Sequence, residues 1–148
     1  MFPDDVEVYS QSKYQDNRGE LTIIIDSMRQ DLPVTLKRSR SQMNVFRGMH
    51  YQGPKNTQKK IIEVIDGRII DFLIDMRPSS KEFGKLYSFP LEPGHTLVIP
   101  EHYSHGFFCN ADTIFQYLTV GKYSEKDEII LRLDLEHFLL NDIDPNEL

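Results

Sequence analysis

The stretch KKIIEVIDGRIIDFLIDMR, residues 59–77, contains two runs of β-branched and aromatic residues on either side of Asp66-Gly67. Runs of this kind are typical of β-strands, and an Asp-Gly pair between two of them is typical of a tight hairpin turn. We therefore predict one strand within 59–67 and a second within 68–77, joined as a hairpin.

Similar short segments recur along the rest of the chain. The clearest are LTIIID at 21–26, HTLVIP at 95–100 and TIFQYLTV at 113–120, with turn residues between them. Because strands follow one another at intervals of about ten residues and no long helical pattern intervenes, the pattern favours a sandwich or barrel over alternating strands and helices. The sequence thus predicts an all-β fold, a jelly-roll barrel forming a single domain over residues 1–148, with a short C-terminal helix at 134–142.

The composition argues against several classes of function. The 148 residues carry a formal net charge of -6, which disfavours a nucleic-acid or anionic-membrane partner, because both attract a basic surface. No apolar run approaches the ~20 residues of a membrane-spanning helix, and the stretch MFPDDVEVYS lacks the apolar region of a signal peptide. The single cysteine, Cys109, has no partner for an internal disulfide, which fits a reducing cytosol. We therefore expect a cytoplasmic protein.

One predicted strand, RIIDFLIDMR, contains an acidic residue among apolar neighbours. Alternation of side chains places Asp71 on the same face as Leu73 and on the opposite face from Ile70 and Phe72. That face is either solvated or lines the inside of a barrel. The sequence alone leaves both interpretations open.

The stretch NVFRGMHYQ, residues 44–52, places Arg47 and His50 among apolar and aromatic residues. Ionisable side chains are rarely buried unless they are paired with an opposite charge or take part in binding or catalysis. Lys59 and Lys60 open an alternating strand, so that the two point to opposite faces. Either both are solvated at the strand start, or one points inward and gives a cavity a positive field. Such a field suits phosphate or a developing oxyanion.

Histidines and a tyrosine supply further candidates for proton transfer. We interpret His95 and His102 as surface or structural residues, whereas His105 lies at the start of an apolar strand. No H-x-H pair is present, so the donor set of a metal-binding cupin is incomplete and we expect no metal. Tyr117, in TIFQYLTV, is either a core aromatic or a proton donor.

Together these motifs resemble the dTDP-4-dehydrorhamnose 3,5-epimerase family, whose members have a cupin fold. The resemblance runs from Asp16 to Asp134, most of the chain. The matching motifs are Asp16-Asn17-Arg18-Gly19, Ser41 to Gln52, Lys60, Gly67 to Gly84, Ile99 to Phe107, Tyr117, Tyr123 and Glu128. The fold that the resemblance implies is a cupin-type jelly-roll β-barrel.

The resemblance also implies roles for individual residues. In this family a ketone at C4 of the sugar acidifies the hydrogens on C3 and C5, a base removes one of them, and an acid returns a proton to the opposite face. By resemblance His50 is the base, Tyr117 is the acid, and Lys60 stabilises the enolate oxygen. The residues implied in substrate binding are Arg18, Arg47, Asp71, His105 and Glu128. Neither a cofactor nor a metal is implied.

The sequence departs from the family pattern at three places. The family pairs its base histidine with an aspartate near the C-terminus, and the late candidates here are Asp142 and Asp144. Asp144 fits the spacing, and whether either residue takes this catalytic role stays open. The sequence ends at Leu148, some tens of residues before the end that the resemblance implies. On the nucleotide side, Ile23 replaces a glutamate, and Thr35-Leu36-Lys37 replaces the family's Q-x-N.

The function implied by the resemblance is epimerisation at C3, C5 or both of a nucleotide-linked 4-keto-6-deoxy sugar, in deoxysugar and surface polysaccharide biosynthesis. Two alternatives stay open: a 3,4-ketoisomerase of a similar sugar nucleotide, and a non-catalytic sugar-nucleotide-binding cupin. The joint presence of His50, Lys60, His105 and Tyr117 favours an enzyme.

We expect two kinds of partner, a nucleotide-sugar substrate and a second copy of the chain. The homodimer is implied by the resemblance, in which Arg18 often reaches the nucleotide across the subunit interface. It is also suggested by LTIIID and PVTLKRS, which would form an exposed sheet edge in the N-terminal third.

Overall fold

Two antiparallel β-sheets face each other in the computed structural model, which describes residues 12–25, 33–53 and 55–133. The six-stranded sheet consists, in spatial order, of β1 (Ser12–Asp16), β2 (Gly19–Ile25), β3 (Val34–Ser41), β10 (Thr113–Val120), β5 (Lys59–Asp66) and β8 (Thr96–Ile99). The five-stranded sheet consists of β11 (Glu128–Ile130), β4 (Phe46–Gln52), β9 (Tyr103–Cys109), β6 (Ile69–Asp75) and β7 (Leu86–Leu91). A 3₁₀ turn at Glu125–Asp127 precedes β11. Within these described segments, no helix is long and apolar enough to cross a membrane.

The predicted all-β architecture is confirmed, and the five strands predicted first are present as β2, β5, β6, β8 and β10. The strand pattern of the sequence did not indicate β7, whose segment LYSFPL contains Pro90. Proline donates no hydrogen bond to a ladder, and β7 lies at the edge of its sheet, where this loss is tolerated. The helix predicted at 134–142 lies outside the described residues.

The hairpin predicted at Asp66-Gly67 is wrong, although the chain bends at Gly67. The strand before the turn pairs with β8 and β10, whereas the strand after it pairs with β7 and β9 in the other sheet. The chain therefore crosses from one sheet to the other at Gly67. This residue has a φ of 89°, and a Cβ placed on it would lie 2.2 Å from the Asp112 carbonyl oxygen. Because the chain crosses between the sheets, Ile62 of one sheet and Ile69 of the other both point into the core between them, and both are fully buried.

The main hydrophobic core lies between the two sheets. Its buried members are Ile62, Val64, Ile69, Leu73, Leu91, Ile99, Phe107, Cys109 and Phe115. The rings of Phe107 and Phe115 are 4.6 Å apart and join β9 to β10 across the interior. Burial of these apolar side chains is the main contribution that holds the sheets together.

A second apolar cluster covers the outer face of the five-stranded sheet. Its buried members are Met49, Ile70 and Phe72, and Leu131 and Leu133 pack against them from the segment after β11. Because both faces of this sheet are covered, β6 is buried on both sides along nearly its whole length. Asp71, in the middle of β6, therefore has no access to bulk solvent.

The sheet edge predicted at LTIIID and PVTLKRS is also wrong. Both segments form inner strands, since β2 pairs with β1 and β3, and β3 pairs with β2 and β10. The edges of the six-stranded sheet are β1, whose residues are all exposed, and β8. Local sequence did not reveal β1, because SKYQD carries a strand's alternation but few apolar residues.

Candidate active site

A cavity of about 310 Å³ opens between the inner faces of the two sheets. Its volume is at the lower end of the range for small-molecule binding pockets. The residues that line it come from both sheets and are Arg18, Leu21, Lys37, Ser39, Arg47, His50, Tyr51, Gln52, Gln58, Lys60, His105, Phe107, Phe115, Tyr117, Thr119, Tyr123 and Glu128. This cavity brings together all the site residues predicted from the described segments except Asp71, which lies behind its wall.

An irregularity in β4 brings Arg47 and His50 to the same cavity. Residues three apart in a regular strand point to opposite faces, but the pairing of β4 with β9 shifts register between these two positions. Gly48, with a φ of 124°, makes this possible: a Cβ on it would lie 2.6 Å from the Gly106 Cα. The two ionisable residues of NVFRGMHYQ therefore share one site.

His50 lies on β4 directly opposite His105 on β9, and its ring contacts a carboxylate. The His50 Nδ1 is 3.0 Å from Oε1 of Glu128, and the Tyr123 hydroxyl donates a hydrogen bond of 2.9 Å to the other oxygen. Burial lowers the pKa of His50, while the neighbouring Glu128 carboxylate opposes that change. The imidazole is therefore predominantly neutral at neutral pH, the form that accepts a proton.

His105 forms a second histidine–carboxylate pair with Asp71. Its Nε2 is 2.7 Å from Oδ2 of Asp71, which is 0% exposed, so the interpretation of Asp71 as part of a solvated face is wrong. Burial raises the pKa of Asp71, and His105 opposes this change. The other Asp71 oxygen, Oδ1, has no hydrogen-bond partner among the described residues. Asp71 reaches the cavity only through His105.

Lys60 is the lysine of the Lys59-Lys60 pair that points inward. It shares the inner face of β5 with the buried Ile62, whereas Lys59 is exposed. Burial lowers the pKa of Lys60 to about 8, and the positive charge of Lys37 contributes in the same direction. No hydrogen bond or ion pair engages the ammonium group within the part of the chain that the structure describes. The cavity thus contains a partly desolvated cation suited to an anionic oxygen.

Tyr117 lies on β10, in the sheet opposite the one that carries His50. Burial raises the pKa of its phenol to about 12, so the hydroxyl stays protonated at neutral pH. Its ring packs against Phe115 at 5.1 Å, and Nζ of Lys37 lies 5.7 Å from the ring centroid. Tyr117 is therefore both packed against the core and exposed to the cavity, so the two sequence-based interpretations are compatible.

Cationic side chains dominate the charge of the cavity wall. Among the described residues, Arg18, Lys37, Arg47 and Lys60 line it, against the single carboxylate of Glu128. Arg47 donates a hydrogen bond of 3.0 Å from Nε to the Ser41 hydroxyl, and burial lowers its pKa. Arg18 pairs with the exposed Asp16 and holds the pKa of that carboxyl at about 2.

Lys37 was not among the site residues predicted from the sequence, although it faces the cavity. A signal was present, because VTLKRSRS alternates and places Lys37 on the same face as the buried Ser39 and Ser41. Asp142 and Asp144, the predicted partners of His50, lie outside the described residues. Among the described residues, no three His, Cys, Asp or Glu side chains form a group that would hold a metal ion.

Two antiparallel sheets closed around a polar cavity define a cupin-type barrel, and the proton-transfer groups on opposite walls equip this barrel for acid–base chemistry. Residues 4–141 match the model of the dTDP-4-dehydrorhamnose 3,5-epimerase family, and the chain belongs to that family. The predicted family and cupin fold are therefore confirmed.

Comparisons with individual proteins agree with this assignment. The chain is 36% identical over 93 residues to dTDP-4-dehydrorhamnose 3,5-epimerase of Escherichia coli (strain K12), covering 61% of this chain and 50% of that protein. It thus spans about half the length of that curated relative. The Sulfolobus tokodaii epimerase structure superposes with a TM-score of 0.63 at 30% identity, covering 91% of this chain and 78% of that one.

A structure of dTDP-6-deoxy-D-glucose-3,5-epimerase from Legionella pneumophila Philadelphia 1 also superposes with a TM-score of 0.63. It is 27% identical and covers 89% of this chain and 74% of that one. That protein was crystallised in complex with dTDP-4-keto-L-rhamnose. The similarity thus extends to a relative that binds a nucleotide-linked keto sugar.

Proposed function

We propose that this chain is a cofactor-independent epimerase that inverts C3, C5 or both of a nucleotide-linked 4-keto-6-deoxy sugar. The observation that carries the proposal is the placement of His50 and Tyr117 on opposite sheets of one cavity that also contains Lys60. Inversion of a carbon centre requires a proton to leave one face and return to the other. Membership of the epimerase family supports the same reaction. The proposed pathway is deoxysugar and surface polysaccharide biosynthesis.

In the first half of the reaction, the neutral His50 imidazole takes a proton from the carbon next to the C4 ketone. The electron pair of the broken C–H bond forms a double bond to C4, and negative charge develops on the C4 oxygen. Lys60, with a pKa of about 8, is mostly protonated at neutral pH and stabilises that oxyanion. In the second half, Tyr117 donates its hydroxyl proton to the opposite face of the same carbon, and the ketone re-forms. His50 then gives its proton to water and Tyr117 takes one from water, so that both groups return to their starting forms.

The remaining cations bind the charged part of the substrate. Arg18 and Arg47 both line the cavity, and they are close enough for the charge of Arg18 to lower the pKa of Arg47. Two neighbouring guanidinium groups of this kind suit a diphosphate. His105, held by Asp71, offers a ring nitrogen to a sugar oxygen. Lys37 adds a fourth cation where the family resemblance places an uncharged amide.

We also propose that the chain forms a homodimer, on grounds other than the sheet edge expected from the sequence. Leu36, Leu118, Ile61 and Val98 are register partners on successive strands, so they form a row across the outer face of the six-stranded sheet. All four are partly or half exposed, and Val98 is 50% exposed. A continuous apolar row on a solvated face is typical of a protein–protein interface.

Incubation with candidate 4-keto sugar nucleotides in deuterated water, followed by NMR at C3 and C5, tests the proposed reaction. The expected result is deuterium at one or both carbons together with inversion. Movement of the keto group from C4 to C3 would instead identify a ketoisomerase. Binding without exchange would identify a non-catalytic sugar-nucleotide-binding protein, and both results would overturn the epimerase.

A further inference from the structure

We propose that Glu128 is the carboxylate that orients His50, in the role for which the sequence alone suggests Asp144. This inference rests on the proposed epimerase function, and it assigns to Glu128 a positioning role rather than substrate binding. The histidine–carboxylate contact of 3.0 Å and its support by Tyr123 carry the inference.

The contact determines which nitrogen of His50 carries the proton in the neutral ring. A carboxylate oxygen only accepts hydrogen bonds, so Oε1 of Glu128 takes one from Nδ1–H. The other nitrogen, Nε2, then keeps its lone pair and acts as the base. When that lone pair takes a proton from the substrate, the adjacent carboxylate stabilises the imidazolium that forms.

Glu128 is itself held in place on two sides. The Tyr123 hydroxyl donates to its second oxygen at 2.9 Å, so both carboxylate oxygens are engaged within the protein. Among the described residues that line the cavity, the other permanently charged groups are cations. A carboxylate whose two oxygens are already engaged, and whose charge repels phosphate, is poorly suited to hold a nucleotide diphosphate.

The backbone that carries Glu128 is fixed by β4 itself. Glu128 is paired with Gln52 in the ladder between β11 and β4, and Leu131 and Met49 exchange two backbone hydrogen bonds at 2.9 and 3.2 Å. Gly53 packs so closely that a Cβ on it would lie 2.9 Å from the Asp127 carbonyl oxygen. The strand that carries the base therefore also positions the carboxylate.

The test compares Glu128→Gln with the wild-type chain by NMR titration of the His50 ring without substrate. Loss of the carboxylate charge should lower the pKa of His50, because that charge favours the protonated ring. In Glu128→Ala the ring should lose its preference for a proton on Nδ1. Glu63→Gln, an identical charge change on an exposed residue of β5, is the matched control and should alter neither property.

Kinetics provide the second readout. Glu128→Gln should lower kcat by about 10- to 100-fold with little change in KM, and Glu128→Asp should restore part of the loss. An unchanged His50 titration in Glu128→Gln would overturn the proposal, as would a rise in KM at constant kcat. A His50 titration that responds to Asp144→Asn but not to Glu128→Gln would also overturn it. Since the titration needs no turnover, it distinguishes this proposal from the proposed reaction.

Discussion

His50 and His105 are neighbours across one pair of strands, yet their carboxylate partners differ in environment. Glu128 is partly exposed and lies at the cavity wall, whereas Asp71 is fully buried behind it. The two rings also influence each other, because the positive charge of a protonated His105 lowers the pKa of His50.

At the residue scale, removal of the two proposed proton-transfer groups, His50 and Tyr117, should have different consequences. His50→Ala should slow both deuterium exchange and inversion by about 10²- to 10⁴-fold, because no base remains. Tyr117→Phe should retain exchange with the original configuration, since His50 can return the proton to the face from which it came. NMR of the sugar in deuterated water separates these outcomes, and inversion by Tyr117→Phe at the wild-type rate would assign the acid to another residue.

A second prediction at this scale concerns the stability effect of Lys60. Its pKa in the folded protein, about 8, lies below the ordinary value of 10.5, so the unfolded chain holds the proton more tightly. Protonation of Lys60 therefore opposes folding below about pH 8, and this destabilisation disappears as the pH rises from about 8 towards 10.5. Lys60→Met should raise the free energy of unfolding at pH 7 by about 2–3 kcal/mol while slowing deuterium exchange.

Urea denaturation at pH 7 and at pH 10 measures this effect. The gain in Lys60→Met should shrink at the higher pH, where the wild-type ammonium has lost its proton. Lys59→Met is the matched control, since Lys59 is exposed and its replacement should change stability by less than about 0.5 kcal/mol. A Lys60→Met variant that is less stable than wild type at pH 7 would contradict the prediction.

At the scale of a single element, β4 depends on a glycine. Gly48 combines a φ of 124° with a close approach to β9, and the register shift beside it brings Arg47 and His50 to one cavity. Gly48→Ala should therefore destabilise the fold by about 3 kcal/mol or more and remove activity, because the added methyl group pushes β4 away from β9.

Gly94→Ala separates the two causes of this effect. Gly94 also has a positive φ, 95°, but a Cβ there would meet no atom within 4 Å. Its replacement should lower the free energy of unfolding by only about 1 kcal/mol, because alanine is strained at a positive φ, and should leave the site unaffected. Thermal unfolding of both variants measures the difference, and equal losses would show that the contact with Gly106 is unimportant.

At the scale of the whole molecule, the charge of the surface and the charge of the cavity have opposite signs. The chain has a formal net charge of -6, whereas the part of the cavity wall formed by described residues carries four cationic side chains and one carboxylate. A cavity of this kind attracts an anionic substrate, and the acidic remainder of the surface disfavours polyanions such as nucleic acid. The separation of a cationic cavity from an acidic surface is therefore expected to make the cavity selective for small anions.

The proposed homodimer gives the prediction at this scale. Val98→Lys places a charge in the apolar row on the outer face of the six-stranded sheet and should shift the chain towards the monomer mass of 17.3 kDa in sedimentation. Ser79→Lys adds the same charge to an exposed residue between β6 and β7 of the other sheet, so it should leave the dimer intact. A wild-type chain that sediments as a stable monomer at micromolar concentration would contradict the proposal.

Much of this fold could be predicted from sequence, because the signals for strands are local. Alternation and β-branched composition located β5, β6 and β10, and Asp66-Gly67 marked the point where one strand ends and the next begins. Ordered motifs indicated the family and the residues His50, Lys60, His105 and Tyr117, all of which line the cavity. Each of these inferences depends on residue type and spacing along the chain.

Tertiary structure alone decided how these segments meet. It placed the strands on either side of Gly67 in different sheets, and it made β2 and β3 inner strands. It also joined His50 to Glu128, 78 residues away, and His105 to Asp71, 34 residues away. The physical reason is that a strand's own pattern determines which side chains share a face. The partner of that face is chosen by burial and hydrogen bonding across the whole molecule.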